Sequence, residues 1–373
     1  MKKKLVSTLL CVVLAVTMIT GCGSDNSDTT TDAGTSNTES NAKADSGDNT
    51  DDSQEADSDT SDSGTYALIV KSAGNPYNER EAAGFTEVIE AEGGTCIVKQ
   101  PEAASAEAQI SMINELVAQG VDSIAIAGND VDALQPALEA AMDAGIKVSA
   151  LDSTVNPDSR QVFVNQAGTQ IIGETLMDAV LDITGGEGQW AILSATSQAA
   201  NQNAWIEAMK GVMEDEKYAG LELVDVAYGD DEYQKSVDQT QALLSNYPDL
   251  KVICAPTTVG IMAAAKVLQD EGADVKLTGL GLPSEMADYI GEDESKSCPY
   301  MYLWNPIDIG RLSAYVSMSL VSGEITGAEG EKFTAGDLGE YEIVKAADGG
   351  TEVILGPPFK FDPANIDEWK DVY

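Results

Sequence analysis

The side chains of this chain that could bind a small molecule follow short apolar runs, which the pattern predicts to be β-strands. Most of them are amides, carboxylates and hydroxyls, and they fall at residues 71–77, 129–130, 152, 194–202, 256–258 and 280–283. Three aromatic residues, Tyr77, Trp205 and Trp304, lie nearby in the sequence. Such polar groups exchange hydrogen bonds with vicinal hydroxyls, while an aromatic ring covers an apolar C–H face. This inventory is typical of a site for a neutral polyhydroxylated ligand.

Several kinds of catalytic and cofactor chemistry are excluded by residue type. The sequence has no histidine, so it has no Ser-His-Asp triad, no Cys-His triad and no histidine-ligated metal. It also lacks the GxxxxGK(S/T) and GxGxxG motifs that bind phosphates. An enzyme that uses Lys71 as a Schiff-base or general-base amine near Asp152 is a weaker hypothesis, because spacing sets no second acid or base partner. We therefore predict a binding protein without catalytic residues, metal or cofactor.

The charge of the chain indicates which partners it can have. Its 21 basic and 63 acidic residues give a net charge of -42, and no Lys/Arg cluster follows Lys4. This distribution leaves no electrostatic footprint for a nucleic acid, so none is expected as a partner. The acidic run Asp230, Asp231 and Glu232 lacks EF-hand spacing and is interpreted as a solvated turn.

The first 64 residues differ in composition from the rest. Three lysines and the apolar run Leu5 to Ile19 predict a secretion signal over residues 1–21. The stretch Ile19-Thr20-Gly21-Cys22 resembles a lipobox, which implies diacylation of Cys22 and a lipid anchor in the membrane. Residues 23–64 contain no large apolar residue, so residues 22–64 are predicted to form a disordered acidic tether. We expect an extracytoplasmic protein anchored on the outer face of the cytoplasmic membrane, in the Gram-positive manner.

From Tyr66 onwards, β-branched runs alternate with helical stretches, which predicts an α/β fold with largely parallel sheets. Helices are expected near residues 79–92, 105–119, 134–144 and 169–184, with strands between them. The rhythm restarts near residue 169, and two sets of this size predict two similar α/β lobes. In such sheets ligands bind beyond the carboxyl ends of the strands.

At these strand ends the chain resembles the sugar-binding proteins of ribose-type ABC importers, in the branch of rhamnose-binding and autoinducer-2-binding proteins. The resemblance covers Tyr66 to Tyr373. Seven stretches in the same order carry it: Leu68-Ile-Val-Lys71 with Gly74-Asn-Pro-Tyr77, Asn201-Gln-Asn-Ala-Trp205, Tyr228-Gly-Asp-Asp231, Ala255-Pro-Thr-Thr-Val-Gly260, Gly279-Leu-Gly-Leu-Pro283, Leu303-Trp-Asn-Pro306 and Ile354-Leu-Gly-Pro-Pro358.

The resemblance implies two Rossmann-like lobes joined by a three-strand hinge, with the ligand in the cleft between them. The first lobe would take residues 65–167 and about 305–333, and the second would take 168–304 and about 334–373. It also implies an ABC permease in the membrane as partner and a monomeric state. Two further readings remain open: an autoinducer-2-binding protein or other sugar binder, and a ligand-sensing module for a receptor kinase.

The predicted ligand-binding residues combine the strand-end positions with those implied by the resemblance. They are Lys71, Asn75, Tyr77, Asn129, Asp130, Asp152, Asn201, Gln202, Pro256, Thr257, Thr258, Trp304 and Asn305. Autoinducer-binding relatives would place an aspartate at Asn201 and an alanine at Thr258. These two departures favour rhamnose or a related deoxyhexose over autoinducer-2, since an unpaired buried polar group costs about 1–3 kcal/mol.

Some of these residues also fit ordinary structural roles. Asn129 and Asp130 fit equally well an Asx turn that opens a helix. Asp152 could cap the turn that follows its strand, and Lys71 could be a solvated charge. Trp205, at helical spacing with other apolar residues, is interpreted as packing, whereas packing and a place in the cleft are both open for Trp304.

Overall fold

The structure is a computed structural model that describes residues 64–373. The predicted signal peptide, Cys22 and all of the predicted tether except Gly64 lie outside these residues. Within the described part of the chain, no helix combines the length and the apolar character needed to cross a membrane.

Strands and helices alternate from Thr65, as the sequence pattern predicts. The first set is β1 (Thr65–Ile69), α1 (Pro76–Ala91), β2 (Thr95–Lys99), α2 (Ala106–Gln119), β3 (Ser123–Ile126), α3 (Gln135–Asp143), β4 (Lys147–Leu151) and β5 (Val162–Asn165). The second set is α4 (Thr169–Thr184), β6 (Gly188–Ser194), α5 (Ala200–Val212), β7 (Leu221–Tyr228), α6 (Tyr233–Asn246), β8 (Leu250–Ala255), α7 (Thr258–Glu271), β9 (Lys276–Gly279), α8 (Pro283–Met286) and β10 (Met301–Leu303). The C-terminal part contains α9 (Pro306–Ser322), β11 (Lys332–Thr334), β12 (Glu340–Glu342), β13 (Val344–Lys345), β14 (Thr351–Ile354), β15 (Phe359–Phe361) and α10 (Ile366–Trp369).

The strands form two main sheets, which confirms the predicted α/β class. The first sheet has the order β13-β14-β5-β4-β3-β1-β2, and all its pairs are parallel except β13 with β14. The second has the parallel order β7-β6-β8-β9. A parallel bridge between Leu280 and Tyr302 brings β10 beside β9, and β15 pairs antiparallel with β10.

The chain crosses between the sheets three times: after β5, after β10 and after β14. We call residues 64–165 and 306–354 the first lobe, and residues 169–303 and 359–373 the second lobe. The predicted boundary near residue 334 is wrong, because β14 pairs with β5 and keeps residues up to Ile354 on the first sheet. The short strands of this segment carry many charged residues, and their sequence does not indicate which sheet edge they join.

Helix α1 begins at Pro76, three residues before the predicted start near Glu79. The stretch Gly74-Asn75-Pro76 suggests a turn in the sequence, but it is the N-terminal cap of the helix. The Asn75 side chain accepts a hydrogen bond from the Tyr77 backbone N at 3.0 Å, and Pro76 occupies the first helical position. The cap therefore places Tyr77 in the first turn of a rigid element.

Helices α1 and α9 pack closely against each other on one face of the first sheet. A Cβ atom at Gly84 would collide with the backbone oxygen of Ile307, and one at Gly310 would collide with that of Glu81. Glycine at both positions lets the two backbones approach, so the helix that carries Tyr77 is fixed against the helix that follows Trp304.

Candidate functional site

A cavity lies where strands of both sheets end. The space between its lining side chains, counted out to open solvent, is about 380 Å³. Ten of the predicted residues line it: Lys71, Asn75, Tyr77, Asp152, Asn201, Gln202, Pro256, Thr257, Thr258 and Trp304. The parallel strands β1 and β4 of the first lobe and β6 and β8 of the second lobe deliver most of them at their carboxyl ends, as expected for an open α/β sheet.

Lys71 follows β1 and is 6% exposed. Its Nζ donates to Asn201 Oδ1 at 3.1 Å and to Gln202 Oε1 at 3.3 Å, so two amide oxygens of the second lobe hold the ammonium group. No carboxylate forms an ion pair with Lys71 among the residues that the structure describes.

Asp152 follows β4 and is 4% exposed. Its Oδ1 accepts hydrogen bonds from Tyr77 Oη at 3.1 Å and from Gln166 Nε2 at 3.2 Å, while its Oδ2 accepts one from Asn201 Nδ2 at 3.1 Å. Its φ of 55° lies in the left-handed region, which Asp tolerates better than most residues and which recurs at functional sites. Burial raises the pKa of Asp152 to about 6, although Lys71 opposes the shift.

Tyr77 and Trp304 form the aromatic part of the site. The indole Nε1 of Trp304 donates to Tyr77 Oη at 2.6 Å, and the Tyr77 hydroxyl in turn donates to Asp152. Trp205 of α5 packs edge-on against Trp304, with ring centroids 5.7 Å apart. These contacts hold the rings of Tyr77 and Trp304 beside the Asp152 carboxylate. Aromatic rings in such a position can cover the apolar C–H face of a ligand.

Asp231 and Thr257 build part of the second-lobe wall. Thr257 Oγ1 donates to Asp231 Oδ1 at 2.6 Å, and the φ of Asp231 is 54°. Thr258 is buried at the start of α7. The wall therefore presents hydroxyl and carboxylate oxygens opposite Lys71 and Asp152.

Three of the predicted residues do not line the cavity. Asn129 is buried behind it, where its Nδ2 donates to the Lys71 backbone oxygen at 2.9 Å. Asp130 forms an Asx turn, in which its Oδ1 accepts from the backbone N atoms of Asp132 and Ala133. Asn305 caps α9, since its Oδ1 accepts from the Ile307 backbone N at 3.0 Å. In each of these residues, a side-chain atom is already hydrogen-bonded to a backbone group of the protein.

Five residues that line the cavity are not among the predicted ligand-binding residues: Asn78, Trp205, Asp231, Leu280 and Leu303. The predicted turn is present at Asp230 and Asp231, but Asp231 is half-buried in the cavity wall and not solvated as expected. The position of Asp231 just after β7 could have predicted its place in the cavity wall from the sequence, because β7 lies beside β6 in the same parallel sheet. Trp205 does pack, as expected, but it packs against a lining ring and is itself part of the lining.

Among residues 64–373, no group of three or more cysteine or carboxylate side chains is arranged to hold a metal ion. The lining offers amides, hydroxyls, one ammonium and two carboxylates, and these groups suit reversible binding of a hydroxylated molecule.

Comparisons with known proteins identify a family and several relatives that this chain resembles. A family model described as a periplasmic binding protein domain matches residues 66–325. The chain is 29% identical over 182 residues to a D-ribose/D-allose-binding protein of Pseudomonas aeruginosa, a match of 46% of this chain that spans 55%, about half, of that relative's length. It is 23% identical over 217 residues to the ribose import binding protein of Bacillus subtilis, which covers 58% of this chain and 68% of that protein.

Solved structures give more extensive matches. An ABC transporter solute-binding protein from Clostridium phytofermentas with bound L-rhamnose is 63% identical, with a TM-score of 0.82, over 83% of this chain and 99% of that one. A sugar ABC transporter protein from Actinomyces odontolyticus is 41% identical, with a TM-score of 0.66, over 82% of this chain and 97% of its own. LsrB from Clostridium saccharobutylicum in complex with AI-2 has a TM-score of 0.75 over 82% of this chain and 99% of its own, but at 24% identity it shows the fold alone.

Proposed function

This chain belongs to the periplasmic binding protein family, and from that premise we propose that it is the solute-binding protein of an ABC sugar importer, with L-rhamnose or a closely related 6-deoxyhexose as its ligand. The matched family and its solved relatives are solute-binding proteins, so the chain is a binding protein rather than an enzyme. Lys71 accordingly serves as a hydrogen-bond donor in the site and not as a Schiff-base amine.

The network of Lys71, Asp152 and Asn201 most supports a neutral sugar as the ligand. These groups come from both lobes and combine one cation, one carboxylate and one amide around the cavity. The arrangement provides donors and acceptors for several hydroxyls without an excess of positive charge that would favour an acidic sugar. The aromatic wall of Tyr77 and Trp304 adds a surface for C–H groups and for a methyl substituent.

The identity of residue 201 favours rhamnose over autoinducer-2. Asn201 accepts a hydrogen bond from Lys71 through Oδ1 and donates one to Asp152 through Nδ2. An aspartate, which the autoinducer-binding pattern would place there, can accept from Lys71 but, when ionised, cannot donate to Asp152. The relative with bound L-rhamnose, at 63% identity, points in the same direction.

We propose a hinge mechanism for ligand capture. A sugar in the cavity would contact Lys71 and Asp152 from the first lobe together with Gln202 and Thr258 from the second. Because these contacts form together only when the lobes are closed, the ligand stabilises the closed form. The three crossings after β5, β10 and β14 are the segments about which the lobes would rotate. The closed form would then be the one that a permease recognises.

We also propose that Cys22 is diacylated after removal of residues 1–21, which would tether the binding domain to the outer face of the membrane. The support is the signal-like sequence before Cys22 and the segment after it, which has no large apolar residue. Mass spectrometry of the N-terminal peptide from cells would detect the two acyl chains. A Cys22→Ala variant that stays in the membrane fraction would contradict the proposal.

A ligand screen tests the proposed function directly. Residues 65–373 would be melted with rhamnose, fucose, ribose, xylose and autoinducer-2. A ligand at about one hundred times its Kd adds about 2.7 kcal/mol to the free energy of unfolding, which raises the Tm of a domain of this size by about 4 °C. We expect this rise with rhamnose. A rise with autoinducer-2 alone would overturn the choice of ligand, and no rise with any sugar would contradict the sugar-binding function.

A further inference from the structure

Glu81 is a buried carboxyl group that the proposed sugar contacts do not use. It lies on α1, one helical turn after Tyr77, and its side chain is 0% exposed. Neither of its carboxyl oxygens accepts a hydrogen bond from the described residues. A buried polar group without a partner is costly, so its retention requires an explanation.

The charges around Glu81 determine its protonation state. The charges of Asp152 and Lys71, which follow β4 and β1, act on its carboxyl group. On the facing helix α9, Asp308 and Arg311 pair with each other, and Arg311 also pairs with Asp337. Lys71 and Asp152 already balance as one buried cation and one buried anion, so an ionised Glu81 would leave an uncompensated buried charge. Burial raises the pKa of Glu81 well above its usual value, and Asp152 raises it further, while Lys71 opposes them.

The single hydrogen of the Tyr77 hydroxyl connects Glu81 to the sugar site. This hydroxyl has one hydrogen to donate and accepts the Trp304 Nε1 hydrogen at 2.6 Å. Asp152 Oδ1 lies 3.1 Å from it, and Glu81, four residues after Tyr77 on α1, is buried on the same face of the helix. An ionised Glu81 would compete with Asp152 for the single hydrogen, whereas a neutral Glu81 can itself donate to Tyr77.

We propose that Glu81 is a positioning residue of the sugar site: as a neutral carboxylic acid it donates its proton towards Tyr77 Oη and thereby directs the Tyr77 hydroxyl to Asp152. The inference rests on the proposed function. Asp152 then receives hydrogen bonds from Tyr77, Gln166 and Asn201 in a fixed orientation and presents its remaining lone pairs to ligand hydroxyls. Glu81 thus acts through Tyr77 and does not touch the sugar.

Conservative and non-conservative substitutions separate this role from helix packing. Glu81→Gln keeps a neutral donor of the same shape, and Glu81→Leu removes the donor at similar volume. By isothermal titration with rhamnose at pH 7, we expect Glu81→Gln to bind within about threefold of the wild type and Glu81→Leu to bind at least about tenfold more weakly. Glu90→Gln, at an exposed position on the same helix, is the matched control and should change nothing.

A rhamnose affinity that falls equally in Glu81→Gln and Glu81→Leu would overturn the proposal, because it would mean that the charge or the packing of Glu81 matters and not a neutral donor. Infrared difference spectra of the wild type and Glu81→Gln provide a readout that needs no sugar and remains valid if Glu81→Leu fails to fold. We expect the band of a protonated carboxyl group at pH 7 in the wild type alone, and its absence would overturn the proposal. If the wild type binds no sugar, the proposed function fails, while the infrared band still decides the state of Glu81.

Discussion

Asn201 in the second lobe and Asp152 in the first lobe are joined by a direct hydrogen bond of 3.1 Å between Nδ2 and Oδ2. The same Asn201 accepts from Lys71 through its other amide atom. One amide therefore links a buried cation and a buried carboxylate of the opposite lobe, and it does so through both of its functional groups. A carboxylate, a hydroxyl or an apolar group at residue 201 could not make both bonds in the same geometry.

Replacement of Asp152 by asparagine should abolish high-affinity sugar binding. Asp152→Asn turns one acceptor oxygen into a donor, so at least one of the present donors, Tyr77, Gln166 or Asn201, loses its partner. An unsatisfied buried group costs about 1–3 kcal/mol, which weakens binding about fivefold to about 150-fold. Isothermal titration with rhamnose measures the effect. Asp130→Asn is the matched control and should bind normally, because Asp130 only closes a local turn; equal losses in both variants would refute the role of Asp152.

Sugar affinity should decline as the pH falls below about 6. Burial raises the pKa of Asp152 to about 6 in the folded chain, above the unfolded value of about 3.9. The folded state therefore binds this proton more tightly, and the stability that the group contributes falls as the pH rises from about 4 through 6. Affinity changes in the opposite sense, because the ionised carboxylate is the form that accepts ligand hydroxyls. Titrations at pH 5, 6 and 7.5, with circular dichroism to verify folding, would show this; a constant Kd over that range would exclude the assignment.

An aspartate at residue 201 should weaken rhamnose binding. Asn201→Asp removes the donor to Asp152 Oδ2 and places a second carboxylate beside it, so repulsion opposes closure of the lobes. We expect a loss of about tenfold or more in affinity at pH 7. Asn203→Asp on the same helix is the control, since Asn203 bonds to the Ser197 backbone oxygen and does not line the cavity. Undiminished rhamnose affinity in Asn201→Asp would show that the amide has no special role.

Gly310→Ala should destabilise the first lobe. A Cβ at this position would collide with the Glu81 backbone oxygen and approach Phe85 N, so α1 and α9 would have to separate. Overpacking of this kind costs about 1–3 kcal/mol. Gly211→Ala in α5, where a Cβ meets open space, should instead stabilise by up to about 1 kcal/mol. Urea unfolding measures the free energy of unfolding of both variants. Similar values for the two would mean that the close contact between α1 and α9 is dispensable.

Long periodic elements and strand ends could be predicted from the sequence. The pattern predicts a helix over residues 169–184, and α4 spans Thr169–Thr184 with Gly185 as its left-handed cap. It also places Lys71, Asp152 and Gln202 at strand ends, and all three line the cavity. These predictions succeed because helical and strand periodicity is local, and because parallel strands bring their carboxyl ends to one edge.

Residue types and local patterns by themselves determined the α/β class, the acidic and histidine-free chemistry, and most of the strand-end residues around the cavity. Only the tertiary structure decided which of those residues reach the cavity, since Asn129 and Asn305 use their amides on nearby backbone groups. It also decided that residues 344–354 join the first sheet and that the Glu81 side chain is fully buried. The reason is physical: strand partners, burial and the charges around a buried group come from segments far apart in the chain, and no local pattern specifies them.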